Sequence, residues 1–196
     1  MSTVSRSFTT AFGALALGAM AMSQPVEARA PQGPVPGKPG EANIVEIAQA
    51  VNASSGEFSY LLAAATCEEF DGAVVALLSG NKFLTLFVPT DAAFAALQTA
   101  LGVTDPAPGV TCTLPSATVL DILTYHVTEG RRFSNSVFNR NAVQMLEMLN
   151  GQFVITNPDL ALNDIAGQSI GLVAPLFNIN ASNGVIHVID TVLLPF

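Results

Sequence analysis

An almost unbroken apolar segment, Phe83 to Val88, lies near the middle of the chain and consists mainly of strand-forming residues. Side chains of a strand alternate between its two faces, so an apolar residue at nearly every position predicts a strand covered on both sides. Pro89 predicts the end of this strand, because proline has no N–H to donate to a sheet ladder. Other elements of the chain must therefore pack against both faces of this strand.

A helix is predicted directly after the strand. The side-chain oxygen of Thr90 or Asp91 can accept a hydrogen bond from the first free N–H groups of that helix. A carboxylate at Asp91 is also favoured near the positive end of the helix dipole. The predicted buried stripe and end of the helix are Phe94, Leu97, Leu101 and Gly102.

The first 28 residues have the order of a secretory signal peptide. Arg6 gives the positive start, an apolar run from Ala11 to Met22 follows, and small residues lead to cleavage after Ala28 or Ala30. A membrane-spanning helix needs about 20 apolar residues, so the shorter run favours a signal over an uncleaved anchor. We therefore expect a secreted or extracytoplasmic protein with no transmembrane segment after cleavage, in the periplasm or at the cell surface if bacterial.

Residues 29–40 are rich in proline and glycine and are predicted to form a linker, followed by one folded domain over residues 41–196. Its first part predicts three short amphipathic helices before Gly80, and Asn43 with Glu46 resembles a capping box at the first of them. Helices this short are marginal alone and must pack on a partner. Their apolar stripes are Ile44, Ile47, Ala48 and Val51; Phe58, Leu61, Leu62 and Ala65; and Val74, Val75 and Leu78.

A further helix is predicted to begin at Ser116, whose side chain can cap it, and to place Val119, Leu120 and Leu123 inward. The chain then passes from helix to strand at the dipeptide Tyr125-His126.

The rest of the chain is predicted to be rich in β-structure. Asn150-Gly151 and Asn183-Gly184 predict hairpin turns, because both residue types accept positive φ. The predicted strands are Phe153–Thr156, Leu160–Leu162, Ile170–Ala174, Phe177–Asn180 and Val185–Leu194.

Cys67 and Cys112 are the two cysteines of the chain. In an oxidising compartment a disulfide between them is the natural expectation, and it would tie the loop that contains Cys112 to the early helices. Loop-closure entropy predicts a stabilisation of about 4 kcal/mol for a loop of this size. Two buried free thiols are the alternative.

Three stretches appear together in a recognisable order. Residues 83–94 give a strand, Pro-Thr-Asp and then Ala-Ala-Phe; residues 121–127 carry Tyr-His after Ile-Leu; and residues 183–190, Asn-Gly-Val-Ile-His-Val-Ile-Asp, precede Leu-Leu-Pro. They resemble the signature stretches of the fasciclin-like family, so residues 41–196 are identified as a single fasciclin-like domain. The resemblance implies an α+β fold, a β-wedge of two packed sheets with several short helices against it. The residues of these motifs that we expect to have a structural role are Thr90, Asp91, Asn183, Gly184 and His187.

The charge of the domain excludes one class of partner. From Glu41 to Phe196 there are 14 acidic and four basic residues, so the net charge is 4 − 14 = −10. Nucleic-acid binding needs clustered Lys and Arg, and we therefore expect no nucleic-acid partner.

The sequence predicts no catalytic or metal site. It has no Gly-x-Ser-x-Gly elbow, no phosphate-binding glycine loop and no Cys-x-x-Cys pair. His126 and His187 lie in apolar runs without metal-ligand spacing, and His187 is predicted to be a core histidine with a hydrogen-bonded ring. We expect no enzyme activity and no cofactor.

Two pairs are candidate binding residues. The resemblance implies that Tyr125 and His126 contact a partner, as the Tyr-His motif does in integrin-mediated adhesion; the alternative is that the pair packs inside the fold. Arg131 and Arg132 form the one basic pair of an acidic domain. Guanidinium groups bind carboxylates in two-point fashion, so this pair could hold a carboxylate or an anionic sugar; the alternative is a solvated turn.

The resemblance implies a non-catalytic adhesion or interaction module whose partner is a cell-surface or matrix protein or a glycan. The alternative function is a secreted carrier of an apolar small molecule such as a carotenoid, as some algal members of the family are. For that function the apolar segment Met145 to Leu149 could line a groove. It could equally be a helix or strand of the core.

Overall fold

The computed structural model describes residues 41–196, and the predicted signal peptide (1–28) and linker (29–40) lie outside the described residues. The α-helices are α1 (Ile44–Ser55), α2 (Ser59–Ala65), α3 (Ala73–Ser79), α4 (Asp91–Ala100), α5 (Ser116–Tyr125) and α6 (Ser134–Val137). The strands are β1 (Leu84–Pro89), β2 (Val127–Glu129), β3 (Gln144–Glu147), β4 (Phe153–Thr156), β5 (Ala161–Asn163), β6 (Ser169–Gly171), β7 (Ile179–Ala181) and β8 (Gly184–Ile189). Short 3₁₀ helices cover Glu68–Phe70 and Pro108–Thr113.

The strands form two four-stranded sheets. The first sheet has the order β2-β1-β8-β7, in which β1 and β8 are parallel and the outer pairs are antiparallel. The second sheet has the order β3-β4-β5-β6 and is antiparallel throughout. The predicted α+β fold of two sheets with several short helices is confirmed.

Strand β1 is buried along its whole length, as predicted for a strand covered on both faces. Leu84, Leu86 and Val88 join the cluster formed with the helices. Phe87 points the other way and packs in a second cluster with Val154 and other residues of the second sheet. The unbroken apolar run therefore reflects one layer of helices on one side of β1 and a second sheet on the other.

The ends of β1 differ from the prediction by one residue. Phe83 is 56% exposed and lies outside the strand, whereas Pro89 belongs to it and is opposite Ile189. A proline is tolerated in a sheet at the end of a strand, because the ladder needs no N–H there.

The capping box of α1 is confirmed. The Asn43 side chain accepts a hydrogen bond from the backbone N–H of Glu46 at 3.0 Å, and the Glu46 carboxylate accepts one from the backbone N–H of Asn43 at 2.7 Å. Two free N–H groups at the helix start are satisfied in this way.

Parts of the helix predictions are wrong. Leu101 of the predicted α4 stripe is 58% exposed, because it lies beyond the end of α4 at the open edge of a groove, and Leu120 of α5 is 42% exposed. Ser116 is the first residue of α5, and the preceding Pro115 occupies the capping position without a side-chain hydrogen bond.

The two predicted turns have different physical causes. At the β3–β4 connection Gly151 has a φ of 83°, a backbone conformation that residues other than glycine and asparagine rarely adopt. At the β7–β8 connection Gly184 is already in the strand, opposite Ala181, and neither Asn183 nor Gly184 has positive φ. The requirement for glycine at position 184 is steric instead, because a Cβ there would lie 2.1 Å from the carbonyl oxygen of Leu84.

Strand β4 has its predicted bounds, and the other predicted strands are shifted or shorter. Strand β3 was predicted only as one alternative for the segment that begins at Met145. It is an edge strand in which Leu146 is buried and Met145 is 67% exposed, and the cleft that Glu147, Met148 and Leu149 line is polar rather than apolar.

The disulfide between Cys67 and Cys112 is present, and the alternative of free thiols is wrong. The bond joins the end of α2 to the 3₁₀ helix of the long loop. Gln98 holds the same loop from α4, because its side-chain amide accepts from the backbone N–H of Ala107 at 2.9 Å and donates to the Ala107 oxygen at 3.1 Å. Among residues 41–196, no helix is long and apolar enough to cross a membrane.

We predict that Gly184→Ala strongly destabilises the domain. The new Cβ would force β1 and β8 apart, since it meets the Leu84 oxygen at 2.1 Å and Ile44 Cδ1 at 2.8 Å. The expected loss is about 3 kcal/mol in the free energy of unfolding, measured by urea denaturation. Gly109→Ala is the matched control, because a Cβ there meets nothing within 4 Å. Equal unfolding midpoints for the two variants would contradict the steric role of Gly184.

Candidate functional site

The Tyr-His pair lies at the junction of α5 and β2, in the interior of the domain. Tyr125 is the last residue of α5 and is fully buried, and His126 follows as the helix cap with 2% exposure. Neither side chain can reach a partner in this conformation. The structure therefore favours the alternative of a packed pair over the partner contact that the resemblance implies.

The Tyr125 hydroxyl links three separate parts of the chain. It donates a hydrogen bond to the carbonyl oxygen of Phe153 in β4 at 3.0 Å and accepts one from the backbone N–H of Ile165 at 3.2 Å. Burial raises the pKa of this hydroxyl, so it stays protonated and able to donate.

His126 uses both ring nitrogens within the fold. Nδ1 lies 2.7 Å from the Ile122 carbonyl oxygen, to which it donates, and Nε2 accepts from the backbone N–H of Leu193 at 3.0 Å. Burial lowers the pKa of His126 to about 4, although the Ile122 hydrogen bond and the Asp164 carboxylate act in the opposite direction. The neutral ring thus fastens the C-terminal segment to α5, and neither nitrogen is available to a substrate.

Asp164 extends this network between the second sheet and the C-terminal segment. One carboxylate oxygen accepts from the backbone N–H of Leu194 at 3.0 Å, and the carboxylate also accepts from the backbone and side chain of Gln168 at 2.8 and 2.7 Å. Three acceptor contacts explain how a nearly buried carboxylate is satisfied there.

His187 lies in the middle of β8 and is fully buried. Its Nε2 donates to the Arg132 carbonyl oxygen at 2.9 Å, its Nδ1 accepts from the backbone N–H of Asn178 at 3.4 Å, and its ring stacks on Phe87 with 5.5 Å between centroids. Burial lowers the pKa of His187, so the ring is neutral at pH 7. His187 is therefore a core histidine whose two ring nitrogens are hydrogen-bonded.

Thr90 and Asp91 cap two different helices. Thr90 accepts from the backbone N–H of Ala93 at 3.2 Å and caps α4. The Asp91 carboxylate accepts instead from the hydroxyl and backbone N–H of Ser59, at 2.6 and 3.2 Å, and so caps α2. Asp91 therefore stabilises a helix more than 30 residues earlier in the chain, which no local pattern could indicate.

Asn183 anchors α1 and α3 to the β7–β8 turn. Its side-chain oxygen accepts from the backbone N–H of Ile44 at 3.0 Å, and its amide donates to the carbonyl oxygens of Leu78 and Gly80 at 2.7 and 3.0 Å. Together with Gly184 it belongs to the scaffold.

The two neighbouring arginines have different surroundings. The Arg131 guanidinium donates to the side chain of Asn180 and to the carbonyl oxygen of Ala181, and it lies 5.9 Å from the ring centroid of Phe83. Arg132 lines a polar cleft beside β2 instead.

Two of the solvent-open apolar features in residues 41–196 are candidates for binding. The first is the outer face, defined here as Met145, Phe153 and Ile155 on β3 and β4, which are 67%, 42% and 40% exposed. The second is the apolar groove, a cavity of about 130 Å³ between α4, α5 and the disulfide-tied loop. Among residues 41–196, no three His, Cys, Asp or Glu side chains are grouped so that they could hold a metal ion.

Comparison with known proteins decides the family. The fasciclin domain family matches residues 57–195, which is most of the described chain. The chain belongs to the fasciclin-domain family. It is 32% identical to the uncharacterized protein sll1735 of Synechocystis sp. over 155 residues, a match that covers 78% of this chain and 97% of that protein.

The fold of this fasciclin domain is similar to a solved structure from an insect. That structure is a pair of FAS1 domains from the cell adhesion molecule fasciclin I, with a TM-score of 0.55 and 16% identity. The match covers 79% of this chain and 51% of the insect chain, so this chain spans about half the length of the solved domain pair. Fasciclin domains are typically adhesion or interaction modules.

The residues by which this fasciclin domain is recognised are therefore chiefly interior residues. On the outer face, the sequence had indicated Met145 only as part of a possible groove and had not indicated Phe153 or Ile155 as binding residues. Their one sequence signal is the run Phe153 to Ile155, in which apolar residues occupy both faces of an antiparallel strand although only one face needs burial.

We predict that the stability of this fasciclin domain falls as the pH drops from about 6.5 to 4. In that range the unfolded state protonates His126 while the folded state, with its pKa of about 4, does not. His126→Gln should reduce this fall by about 3 kcal/mol, measured by urea unfolding at several pH values. The carboxylates contribute equally to both proteins and cancel in the difference. Parallel pH curves for the two proteins would show that His126 is not held neutral by the fold.

Proposed function

We propose that this fasciclin domain is an extracytoplasmic, non-catalytic interaction module that binds a protein at a cell surface or in a matrix. The family supports this proposal, since fasciclin domains typically act in adhesion or interaction. The disulfide supports an oxidising compartment, because such bonds are rare in the cytosol. Both histidines are buried with both ring nitrogens engaged, which leaves neither as an accessible general base.

The outer face is the observation that carries the proposal. Met145 lies directly opposite Ile155 in the β3–β4 ladder, and Phe153 is two residues before Ile155 on the same face. Side chains that face each other across a ladder are about 5 Å apart, so the three exposed side chains form one continuous surface. Contiguous exposed apolar surface on a folded protein marks a site of interaction more often than scattered apolar residues do.

The charge of the domain determines what kind of protein fits this surface. The domain carries a net charge of −10, and the exposed Glu147 lies opposite Phe153 at the border of the outer face. A partner with an apolar centre and Lys or Arg at its rim would bury the outer face and complement this charge. An acidic partner would be repelled.

We predict that Met145→Lys combined with Ile155→Lys lowers binding of the folded domain to the surface of the source organism's cells. The two lysines remove apolar contact and repel a basic rim, so affinity should fall roughly tenfold or more, measured by titration with labelled protein. Leu120→Lys is the matched control, because Leu120 is about as exposed as Ile155, at 42% against 40%, but lies on α5.

Circular dichroism and thermal unfolding should show that both variants keep the wild-type fold. If the double variant binds cells as tightly as Leu120→Lys does, the outer face is not the contact surface. Higher ionic strength should also slow association, because opposite charges steer the encounter.

The apolar groove supports a second candidate function, carriage of an apolar ligand. Its wall consists largely of apolar side chains, including Phe94, Leu97 and Leu123. A volume of about 130 Å³ suits one ring-sized group, whereas pockets for whole drug-sized ligands measure roughly 300 Å³ or more. A polyene such as a carotenoid would therefore place only one end in the groove.

A spectrum of the protein purified from its native source tests this candidate. If the domain is a polyene carrier, visible absorption should copurify with it, and Leu97→Glu should abolish uptake of added carotenoid because it places a charge in the groove. A colourless protein that takes up no carotenoid would refute the carrier function and leave the outer-face proposal intact.

A further inference from the structure

The edge strands of the two sheets meet at one point of the domain. Strands β2 and β3 are each the outermost strand of their sheet. The backbone N–H of Leu149 donates to the Val127 carbonyl oxygen at 2.8 Å, and the Thr128 hydroxyl donates to the Glu147 carbonyl oxygen at 2.7 Å. A polar cleft of about 350 Å³ lies at this junction and is lined by Arg132, Glu129 and Glu147, with Met148 and Leu149 behind them.

Arg132 is held in position from three directions. Its backbone N–H donates to the Thr85 hydroxyl at 2.9 Å, its carbonyl oxygen accepts from His187 Nε2 at 2.9 Å, and its side-chain Nε donates to the Glu129 carbonyl oxygen at 3.0 Å. The two terminal nitrogens of the guanidinium have no hydrogen-bond or ion-pair partner among residues 41–196. A pre-oriented guanidinium with free terminal N–H groups can bind a planar anion at little entropic cost.

The guanidinium of the neighbouring Arg131 can be compared with that of Arg132. Its guanidinium is already occupied by Asn180 and by the carbonyl oxygen of Ala181. The basic pair of the sequence is thus divided, since Arg131 holds the β7 strand and Arg132 faces the cleft.

The carboxylates of Glu129 and Glu147 restrict the kind of ligand that can bind in the cleft. Glu129 lies 3.8 Å from Lys82 in an exposed ion pair, whereas Glu147 has no ion-pair partner among residues 41–196. These two groups repel any anion, and a sulfate or phosphate, which can carry two negative charges on one centre, is repelled more strongly than a carboxylate, which carries one. A single carboxylate can meet the guanidinium in two-point fashion, while neighbouring hydroxyl groups donate to the two glutamates.

We propose that this cleft binds a carboxylate-bearing saccharide unit of the uronic acid type. The carboxylate of the sugar pairs with Arg132, its hydroxyl groups donate to Glu129 and Glu147, and its C–H face packs on Leu149. This saccharide site is additional to the protein contact proposed for the outer face. Glu147 lies both at the border of the outer face and in the lining of the cleft.

Calorimetric titration with trigalacturonate tests the proposal. Wild-type domain should bind this probe, and Arg132→Gln should weaken binding roughly tenfold to a hundredfold, because a charge-assisted pair is lost. Arg131→Gln should retain the wild-type affinity, and Arg132→Lys should fall between the two, since it keeps the charge without the planar fork.

A matched ligand tests the same contact without altering the protein. The trimethyl ester of trigalacturonate keeps every ring and hydroxyl but has no carboxylate, and it should bind at least tenfold more weakly than the acid. Equal binding of ester and acid, equal affinity of Arg132→Gln and wild type, or no binding of the acid would each overturn the proposal. Tighter binding of a sulfated trisaccharide would overturn the choice of carboxylate.

The saccharide titrations and the outer-face binding experiment can fail independently of each other. Met145→Gln with Ile155→Gln, which removes the apolar contacts without adding charge beside Glu147, should leave trigalacturonate affinity unchanged, and loss of affinity in that variant would contradict the assignment to the cleft. Failure of the outer-face experiment would not affect the saccharide titration, which uses purified components only.

Discussion

The parallel pairing of β1 with β8 is the constraint on which the rest of this fasciclin domain depends. Six successive residues of β1, Leu84 to Pro89, lie opposite Gly184 to Ile189, about one hundred residues later in the chain. This pair separates the helical cluster from the cluster between the sheets, so both faces of both strands are buried. Non-local pairing of this kind must overcome a large loop-closure entropy, and it does so because it completes two cores at once.

Side chains that bond to distant backbone groups reinforce this arrangement. Asn183 connects the β7–β8 turn to two helices, Tyr125 reaches the second sheet, and His126 holds the C-terminal segment. Each is buried, so losing its partner would leave an unsatisfied polar group in the interior. The residues by which the family is recognised thus serve stability, and the contacts proposed for a partner lie on exposed residues outside these motifs.

The two contacts proposed for a protein and a saccharide lie on surfaces of different chemistry. The outer face is apolar and lies on two strands of a rigid sheet, whereas the cleft at Arg132 is polar and lies where two sheet edges meet. An apolar protein contact and a carboxylated saccharide contact on one small domain would allow a module to bridge a protein and a glycan. Such bridging would let a single domain take part in adhesion without forming a dimer.

Local patterns in the sequence determined much of this fold: the buried central strand, the capping box at Asn43, the β4 strand and the family itself. They succeed because helix capping involves residues only a few positions apart, and because an apolar run indicates that a strand is buried without indicating what covers it. Tertiary structure alone decided that Asp91 caps α2, that Leu101 and Leu120 face solvent, and that Arg131 is occupied while Arg132 is free. Each of these depends on which distant segment lies alongside, and residue spacing carries no information about that.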